Sequence, residues 1–187
     1  MMKLNSKVLC AGIALGSSLA VGCGSDDGSK GEMLASSNNS PVVRYLEPYT
    51  PDTTPNPIQN TASASAQAFD EDGHLRIELA VVGFPATRTF GSHLHKLTCE
   101  DTMKAGGHYQ NMPFPAGGMA NDPVYANATN EAWLDFKTDA AGAAEKVLTV
   151  DWIPRSGEAK AIIFHDMATG VGGVSGAKLA CLPIIGF

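Results

Sequence analysis

The chain has 187 residues, of which 44% are hydrophobic and 17% are charged, and its formal net charge is −6. A chain of this size and composition fits one globular domain together with targeting and linker segments. The negative net charge argues against nucleic-acid binding through a basic surface, and a site for an anion would need its own patch of positive charge.

Residues 1–22 have the composition of a lipoprotein signal peptide. Lysines form a positively charged start, residues 8–21 are an apolar run too short for a membrane-spanning helix, and small side chains precede Cys23. Leu19 and the residues after it resemble a bacterial lipobox, with the leucine one place further from the cysteine than is usual. We therefore predict lipid on Cys23, which anchors the protein in the cell envelope, in the periplasm or on the outer surface. The alternative is an ordinary signal peptide cleaved within residues 22–30.

Residues 23–60 are rich in serine, asparagine, proline, glycine and threonine. The prolines between positions 48 and 57 exclude a helix there. We interpret this stretch as a flexible surface linker, in which Pro41–Leu46 is a candidate edge strand. The folded domain is accordingly predicted to span residues 61–187.

From Ala62 onwards the sequence has the period of two that is typical of strands. Ala62–Phe69 and His74–Val82 alternate, and Asp70–Gly73 between them predicts the turn of a hairpin. Residues 109–130 contain several prolines and glycines without a sustained period, which predicts a long loop of the kind that is more often functional than idle. The further predicted strands are a segment containing His93 and His95, residues 132–137, residues 146–152, residues 160–165 and residues 178–187. Seven or eight short strands with Gly/Pro turns predict an antiparallel sandwich or barrel.

Four of the five histidines fit one site. His93 and His95 leave the same face of their predicted strand, roughly 7 Å apart, and can share one metal ion or line one pocket. Residues 96–107 form a loop with a flexible end that can bring His108 to the same place. A fourth histidine, His165, ends an apolar predicted strand.

The cysteines indicate a disulfide. Cys10 is removed with the predicted signal and Cys23 carries the predicted lipid, so Cys99 and Cys181 remain as a pair in an oxidising compartment. Their bridge would close a loop of roughly eighty residues and stabilise the fold by roughly 4 kcal/mol if chain entropy alone is counted. The competing idea is a metal site built on these two cysteines, but neither has a C-x-x-C partner.

Taken together, G-x-H-x-H, a cysteine-containing loop ending in G-G-H, a distant strand-terminal F-H and the closing K-L-A-C resemble copper/zinc superoxide dismutase. The resemblance runs from about residue 62 to the end of the chain. It implies an all-β fold, an eight-stranded antiparallel Greek-key barrel. It also implies that Cys99 and Cys181 match the family's disulfide. The residues that match the family's copper ligands are His93, His95, His108 and His165.

The zinc site of that family has no full match here. The family uses further histidines in the long loop and an aspartate after it, but residues 109–130 contain no histidine, and the last positions are occupied by Asn130 and Glu131. One imidazole without a settled carboxylate cannot complete a tetrahedral zinc shell. The segment between His165 and Cys181 is also shorter than the family's electrostatic loop. These departures resemble the copper-only branch, so we expect one copper ion and no zinc.

Two further residues receive roles from this comparison. Without zinc, His108 needs another partner for its second ring nitrogen, and Glu131 is the candidate, with Asn130 and Asp135 as alternatives. The family's arginine near the final cysteine, which guides the anion to copper, corresponds to Lys178, which keeps the charge but lacks the planar fork of donors. The competing interpretations are that Glu131 faces water and that Lys178 is an ordinary surface lysine.

The resemblance implies an extracytoplasmic copper-dependent superoxide dismutase, which converts superoxide to oxygen and hydrogen peroxide. In this hypothesis Lys178 draws the anion inward, and His108 is the copper ligand that loosens and carries a proton. The main alternative is a non-catalytic copper-binding protein for storage or delivery on the same fold. A purely structural envelope domain is the third hypothesis. The sequence gives no prediction of oligomeric state.

Overall fold

The computed structural model describes residues 31–44 and 56–187, which form nine β-strands and a short 3₁₀ turn at Val171–Gly173. The strands are β1 (Glu32–Pro41), β2 (Val43–Arg44), β3 (Ser63–Glu71), β4 (His74–Val82), β5 (Thr89–His95), β6 (Phe136–Lys137), β7 (Ala144–Val150), β8 (Ala161–His165) and β9 (Lys178–Pro183). Within the described ranges no helix has the length and apolar character needed to cross a membrane.

The strands form two antiparallel sheets with the orders β1-β3-β4-β7 and β2-β9-β8-β5-β6. The chain passes from the first sheet to the second after β4 and crosses again after β6 and after β7. As a result β5 lies between β6, the next strand in the chain, and β8, which is more distant in sequence. This confirms the predicted all-β, antiparallel Greek-key architecture. The strand count differs from eight because β1 and β2, separated by the buried Val42, form one run that leaves the first sheet and joins the second.

The interpretation of residues 23–60 as a flexible linker is wrong for residues 32–40, whereas the candidate edge strand at Pro41–Leu46 is present in its described part, which contains β2. β1 pairs with β3 from Glu32↔Asp70 to Pro41↔Ser63, and β2 pairs with β9. Strand structure therefore begins well before the predicted Pro41–Leu46. Main-chain hydrogen bonds hold this edge strand, and a serine- and asparagine-rich composition gives no sign of them. The predicted signal peptide, Cys23 and residues 45–55 lie outside the described residues.

The predicted hairpin is confirmed, since β3 and β4 pair in register from Ser63↔Val82 to Glu71↔His74. On β4 alternate residues are buried, which places one face of the first sheet in the core. From the second sheet, Phe90 and Phe164 pack edge-on against Phe84, with ring centroids 5.5 and 5.1 Å away. The core therefore lies between the two sheets.

β5 is buried on both faces, and this places the histidines. Phe90 and Leu94 point into the main core, whereas His93 and His95 leave the opposite face. That outer face is covered by three segments, which we call the cysteine loop (residues 96–107), the long loop (residues 109–130) and the glycine loop (residues 166–177). Beneath the cysteine loop lies a separate apolar cluster formed by Cys99, Ala105, Ala161, Ile163 and Cys181.

The predicted disulfide between Cys99 and Cys181 is present, with the two Cα atoms 5.7 Å apart. It joins the cysteine loop to β9, and both sulfur-bearing residues are buried. The bridge therefore holds the loop that precedes His108 against the outer face of the second sheet.

Candidate metal centre

The structure brings His93, His95, His108 and His165 together. One ring nitrogen of each lies within 4.8 Å of the corresponding nitrogen of every other. Ring centroids are separated by 4.0 Å for His93 and His108 and by 5.5 Å for His95 and His165. In residues 31–44 and 56–187 this is the one group of three or more such ligand side chains that is close enough to share an ion.

Main-chain pairing positions each imidazole. The cysteine loop returns alongside the end of β5, where His95 and His108 form a bridge and Tyr109 donates its N–H to the Leu94 carbonyl at 2.8 Å. On the other side of β5, His165 at the end of β8 lies opposite Gly91 in the strand register. His74, the remaining histidine, is half-exposed and lies near Asp151 at the hairpin, away from this cluster.

Gly91 allows the glycine loop to approach β5. Its N–H donates to the Met167 carbonyl at 2.8 Å, and a Cβ at this position would lie 2.4 Å from the same oxygen. Any side chain here would therefore push away the loop that follows His165. Steric space therefore explains the glycine of the G-x-H-x-H motif.

Three of the imidazoles have their Nδ1 atoms engaged by acceptors. His95 faces the Gly106 carbonyl at 3.0 Å, and His165 faces the Gly176 carbonyl at 3.4 Å. His108 faces a carboxylate oxygen of Glu131 at 2.8 Å. Because these oxygens only accept, each Nδ1 carries the proton, and each Nε2 keeps its lone pair for the centre of the cluster.

The two ring nitrogens of His93 have the opposite arrangement. Its Nε2 contacts the Thr169 hydroxyl at 2.6 Å, and its Nδ1 is buried with no hydrogen-bond partner among the described residues. An unpartnered buried nitrogen requires an explanation, since buried polar atoms nearly always have a partner. A metal ion bound at Nδ1 supplies one.

The electrostatics of the cluster favour the neutral form of His93, His95 and His165. Burial lowers the pKa of His93 and His95 well below the usual histidine value, and positive charge on neighbouring imidazoles lowers it further. Burial also lowers the pKa of His165 to about 3. Neutral imidazoles with free lone pairs are the form that binds transition metals.

Glu131 makes the predicted contact with His108. Its carboxylate is fully buried and accepts three hydrogen bonds of 2.8 Å, from His108 Nδ1, Trp133 Nε1 and Gln110 Nε2. The pair is also covered by Gly173, where a Cβ would lie 3.1 Å from His108 Nδ1 and where φ is +70°. The interpretation in which Glu131 faces water is therefore wrong.

The two alternatives to Glu131 have other partners. Asn130 bonds to the backbones of Met112 and Tyr125 and holds the long loop together. Asp135 accepts from the Thr169 hydroxyl and backbone N–H, each at 2.6 Å. Sequence reasoning assigned no role to Thr169, because a threonine inside a glycine-rich stretch carries no periodic signal.

Lys178 lies at the cavity beside the cluster, with its ammonium group committed to backbone oxygens. It donates to the carbonyls of Met103 at 3.2 Å, Lys104 at 2.8 Å and Gly106. Burial lowers its pKa to about 8, and the nearby Lys104 charge contributes to the shift. Lys178 therefore holds the cysteine loop, which also carries the carbonyl that faces His95.

A cavity of about 490 Å³ opens beside the imidazoles. Among the described residues that line it, Lys96 and Lys178 carry positive charge and none carries a carboxylate, although the whole chain is acidic. A cavity with this lining favours an anion over a cation as the visiting ligand. The side chains that reach it, apart from small residues, are His95, Lys96, His108, Gln110, Phe114, Asn121, His165, Val174 and Lys178.

No family model matches the sequence, and no curated protein matches it. A solved structure with a similar fold is the clock protein EA4, with a TM-score of 0.51 and 16% identity over 83% of this chain and 96% of that chain. A double mutant of a SOD-like protein from Bacillus subtilis matches with a TM-score of 0.46 and 19% identity over 64% of this chain and 87% of that chain. The likeness to the clock protein EA4 shows a similar fold and nothing further. On this fold the chain brings four imidazoles close enough together to bind one metal ion.

Proposed function

We propose that this protein is a copper-dependent superoxide dismutase of the cell envelope that works without zinc. The observation that carries the proposal is the convergence of four imidazole nitrogens within 4.8 Å of one another, three of them on buried histidines. Imidazole suits both copper and zinc, but the redox reaction requires an ion with two accessible oxidation states, which zinc lacks.

The residues present fit a copper ion. His95, His108 and His165 direct Nε2 inward because Nδ1 of each is hydrogen-bonded outward. His93 supplies a fourth nitrogen from a buried position. A bound copper ion would take an electron from one superoxide and return it to a second, giving oxygen and hydrogen peroxide.

The second superoxide also needs two protons. His108 is suited to deliver one, because it is the one ligand histidine that is only partly buried, with 19% of its side chain exposed. Its Nε2 can take a proton from the cavity, while Nδ1 stays bonded to Glu131 and keeps the ring in place. Lys96 and Lys178 contribute positive charge to the cavity through which the anion arrives.

The non-catalytic alternative, a copper-binding protein for storage or delivery, is favoured by one observation. All three protons of the Lys178 ammonium face carbonyl oxygens, so this group has none left to dock an anion directly. In a dismutase the lysine then acts through its charge at a distance. In a copper carrier it has only the structural task of holding the cysteine loop.

Metal analysis and a superoxide assay decide between these functions. The purified protein should retain one copper ion, and the loaded protein should remove superoxide far faster than free protein does. His93→Ala and His165→Ala should abolish stoichiometric copper, whereas His74→Ala, outside the cluster, should leave it unchanged. Copper binding without superoxide removal would establish the carrier, and retention of stoichiometric zinc would refute the zinc-free assignment.

The proposal places the protein in the periplasm or on the outer surface, anchored by lipid on Cys23. The Cys99–Cys181 disulfide supports an oxidising compartment, because structural disulfides are rare in the cytosol. Metabolic labelling with a palmitate analogue tests the anchor. Label that persists in a Cys23→Ala variant would contradict it.

A further inference from the structure

His93 is held by a chain of hydrogen bonds that begins at Asp135. One carboxylate oxygen of Asp135 accepts from the Thr169 N–H at 2.6 Å. The other accepts from the Thr169 hydroxyl at 2.6 Å and from the Ser92 N–H at 3.1 Å. The Thr169 oxygen then contacts His93 Nε2 at 2.6 Å.

The position of the proton on Thr169 and on His93 follows from counting hydrogen-bond donors. A threonine hydroxyl has one proton, and here that proton is directed at the Asp135 carboxylate. The hydroxyl oxygen can therefore only accept from His93, so Nε2 of His93 must carry the ring proton. Nδ1 is then the nitrogen with the lone pair, which agrees with its buried position and its lack of a partner among the described residues.

We propose that Thr169 and Asp135 are positioning residues that fix His93 in the tautomer and orientation in which Nδ1 faces the metal. This inference rests on the proposed metal-binding function. The pair works oppositely to Glu131, which fixes His108 with its proton on Nδ1. Two carboxylates thus orient two imidazoles in opposite senses, one directly and one through a hydroxyl.

The hydroxyl is not needed merely to anchor the glycine loop. The backbone N–H of Thr169 already bonds to Asp135, and Arg88 also bonds to Asp166 in the same loop. Valine at position 169 would keep the shape and the backbone bond to Asp135 and would remove the two hydroxyl contacts, one with Asp135 and one with His93. A purely structural role therefore predicts a small effect for Thr169→Val, whereas a positioning role predicts a change at the imidazole itself.

The test measures the tautomers of the apo-protein by nitrogen-15 NMR at pH 7.5, so its first result does not depend on copper. His93 in the wild type should be protonated at Nε2, and His95, His108 and His165 at Nδ1. Thr169→Val should mix the His93 tautomers, and Thr169→Ser should restore the wild-type signal. Asp135→Ala frees the hydroxyl to donate, so it should increase the fraction of His93 protonated at Nδ1.

Copper binding supplies the second readout. Thr169→Val should weaken cupric affinity about 10- to 100-fold in competition with a chelator and should alter the cupric electron paramagnetic resonance spectrum. Thr149→Val, at an exposed position on β7, is the matched control and should change neither. If wild-type His93 carries its proton on Nδ1, or if Thr169→Val leaves tautomer and affinity unchanged, the inference is wrong. A wild type with the expected tautomers but no affinity for copper would refute the proposed function and leave the positioning of His93 established.

Discussion

Replacement of Glu131 by glutamine tests the centre most directly. The carboxylate is fully buried and accepts hydrogen bonds from His108, Trp133 and Gln110, each at 2.8 Å. Glutamine keeps the shape but offers one carbonyl oxygen and one amide group. If that oxygen serves His108 and Trp133, the amide faces Gln110, whose Nε2 is already held toward the Ala120 carbonyl.

The loss of stability caused by Glu131→Gln can be estimated from these contacts. One buried donor loses its acceptor, which costs about 1–3 kcal/mol, and two bonds change from charged to neutral acceptors, which weakens each by about 0.5–1 kcal/mol. We expect the free energy of unfolding of the apo-protein to fall by about 3 kcal/mol. Copper affinity should fall about 10- to 100-fold, because the His108 ring loses its charged partner.

Urea unfolding of the apo-protein, followed by tryptophan fluorescence, measures the first quantity, and chelator competition measures the second. Glu158→Gln is the matched control. Glu158 pairs with Arg155 at a site where both side chains are about half-exposed, so its loss should change stability by less than about 1 kcal/mol. If Glu131→Gln behaves like this control in both measurements, the assigned role of the carboxylate is wrong.

Three further predictions address the fold around the site. Replacing Cys99 and Cys181, 82 residues apart, by alanine should lower the free energy of unfolding by about 4 kcal/mol in urea titrations, and an unchanged midpoint would contradict it. His165 has a native pKa of about 3, below its unfolded value, so its contribution is present at neutral pH and is lost as the pH falls from about 6.5 toward 3. The apo-protein should then lose up to about 1.4 kcal/mol per pH unit from this group, which a flat profile of stability against pH would exclude. Gly91→Ala should destabilise the protein by about 1–3 kcal/mol, because its Cβ would lie 2.4 Å from the Met167 carbonyl, and thermal unfolding measures this effect.

The sequence predicts those parts of the fold where one face of a strand is buried. The alternation over residues 74–82 is reproduced as alternating burial on β4, and the β3–β4 hairpin follows in register. The same reasoning misses β1. That strand sits at the edge of the first sheet, where backbone hydrogen bonds and small side chains such as Ala35 suffice and no strong apolar period is needed.

In the candidate site, too, some residues can be predicted from the sequence and others cannot. His93 and His95 are recognised by their spacing, since period two places both on one face of β5. The link from Asp135 through Thr169 to His93 joins residues 34 and 76 positions apart, and such long-range hydrogen bonds leave no local pattern in a sequence. Glu131 could be predicted because a metal-bound imidazole requires an acceptor and the resemblance narrows the choice to a few positions.

Both carboxylates that support the centre come from one short segment. Trp133 forms a bridge with His93, so residues 131–135 run beside β5. At one end Glu131 holds His108 from the long-loop side, and at the other Asp135 reaches the glycine loop. A segment fixed to β5 thus fastens ligands that arrive from two different loops.

This arrangement bears on the number of metal ions. Each imidazole nitrogen binds either a proton or a metal, and Nδ1 of His108 carries a proton directed at Glu131 at 2.8 Å. A second ion shared through His108 would have to displace that proton and separate the ring from a carboxylate that also serves Trp133 and Gln110. Such an ion would cost the hydrogen bond between His108 and the buried carboxylate, so the Glu131 contact favours a single ion at this centre. The proposed zinc-free site therefore depends on a proton held between His108 and Glu131.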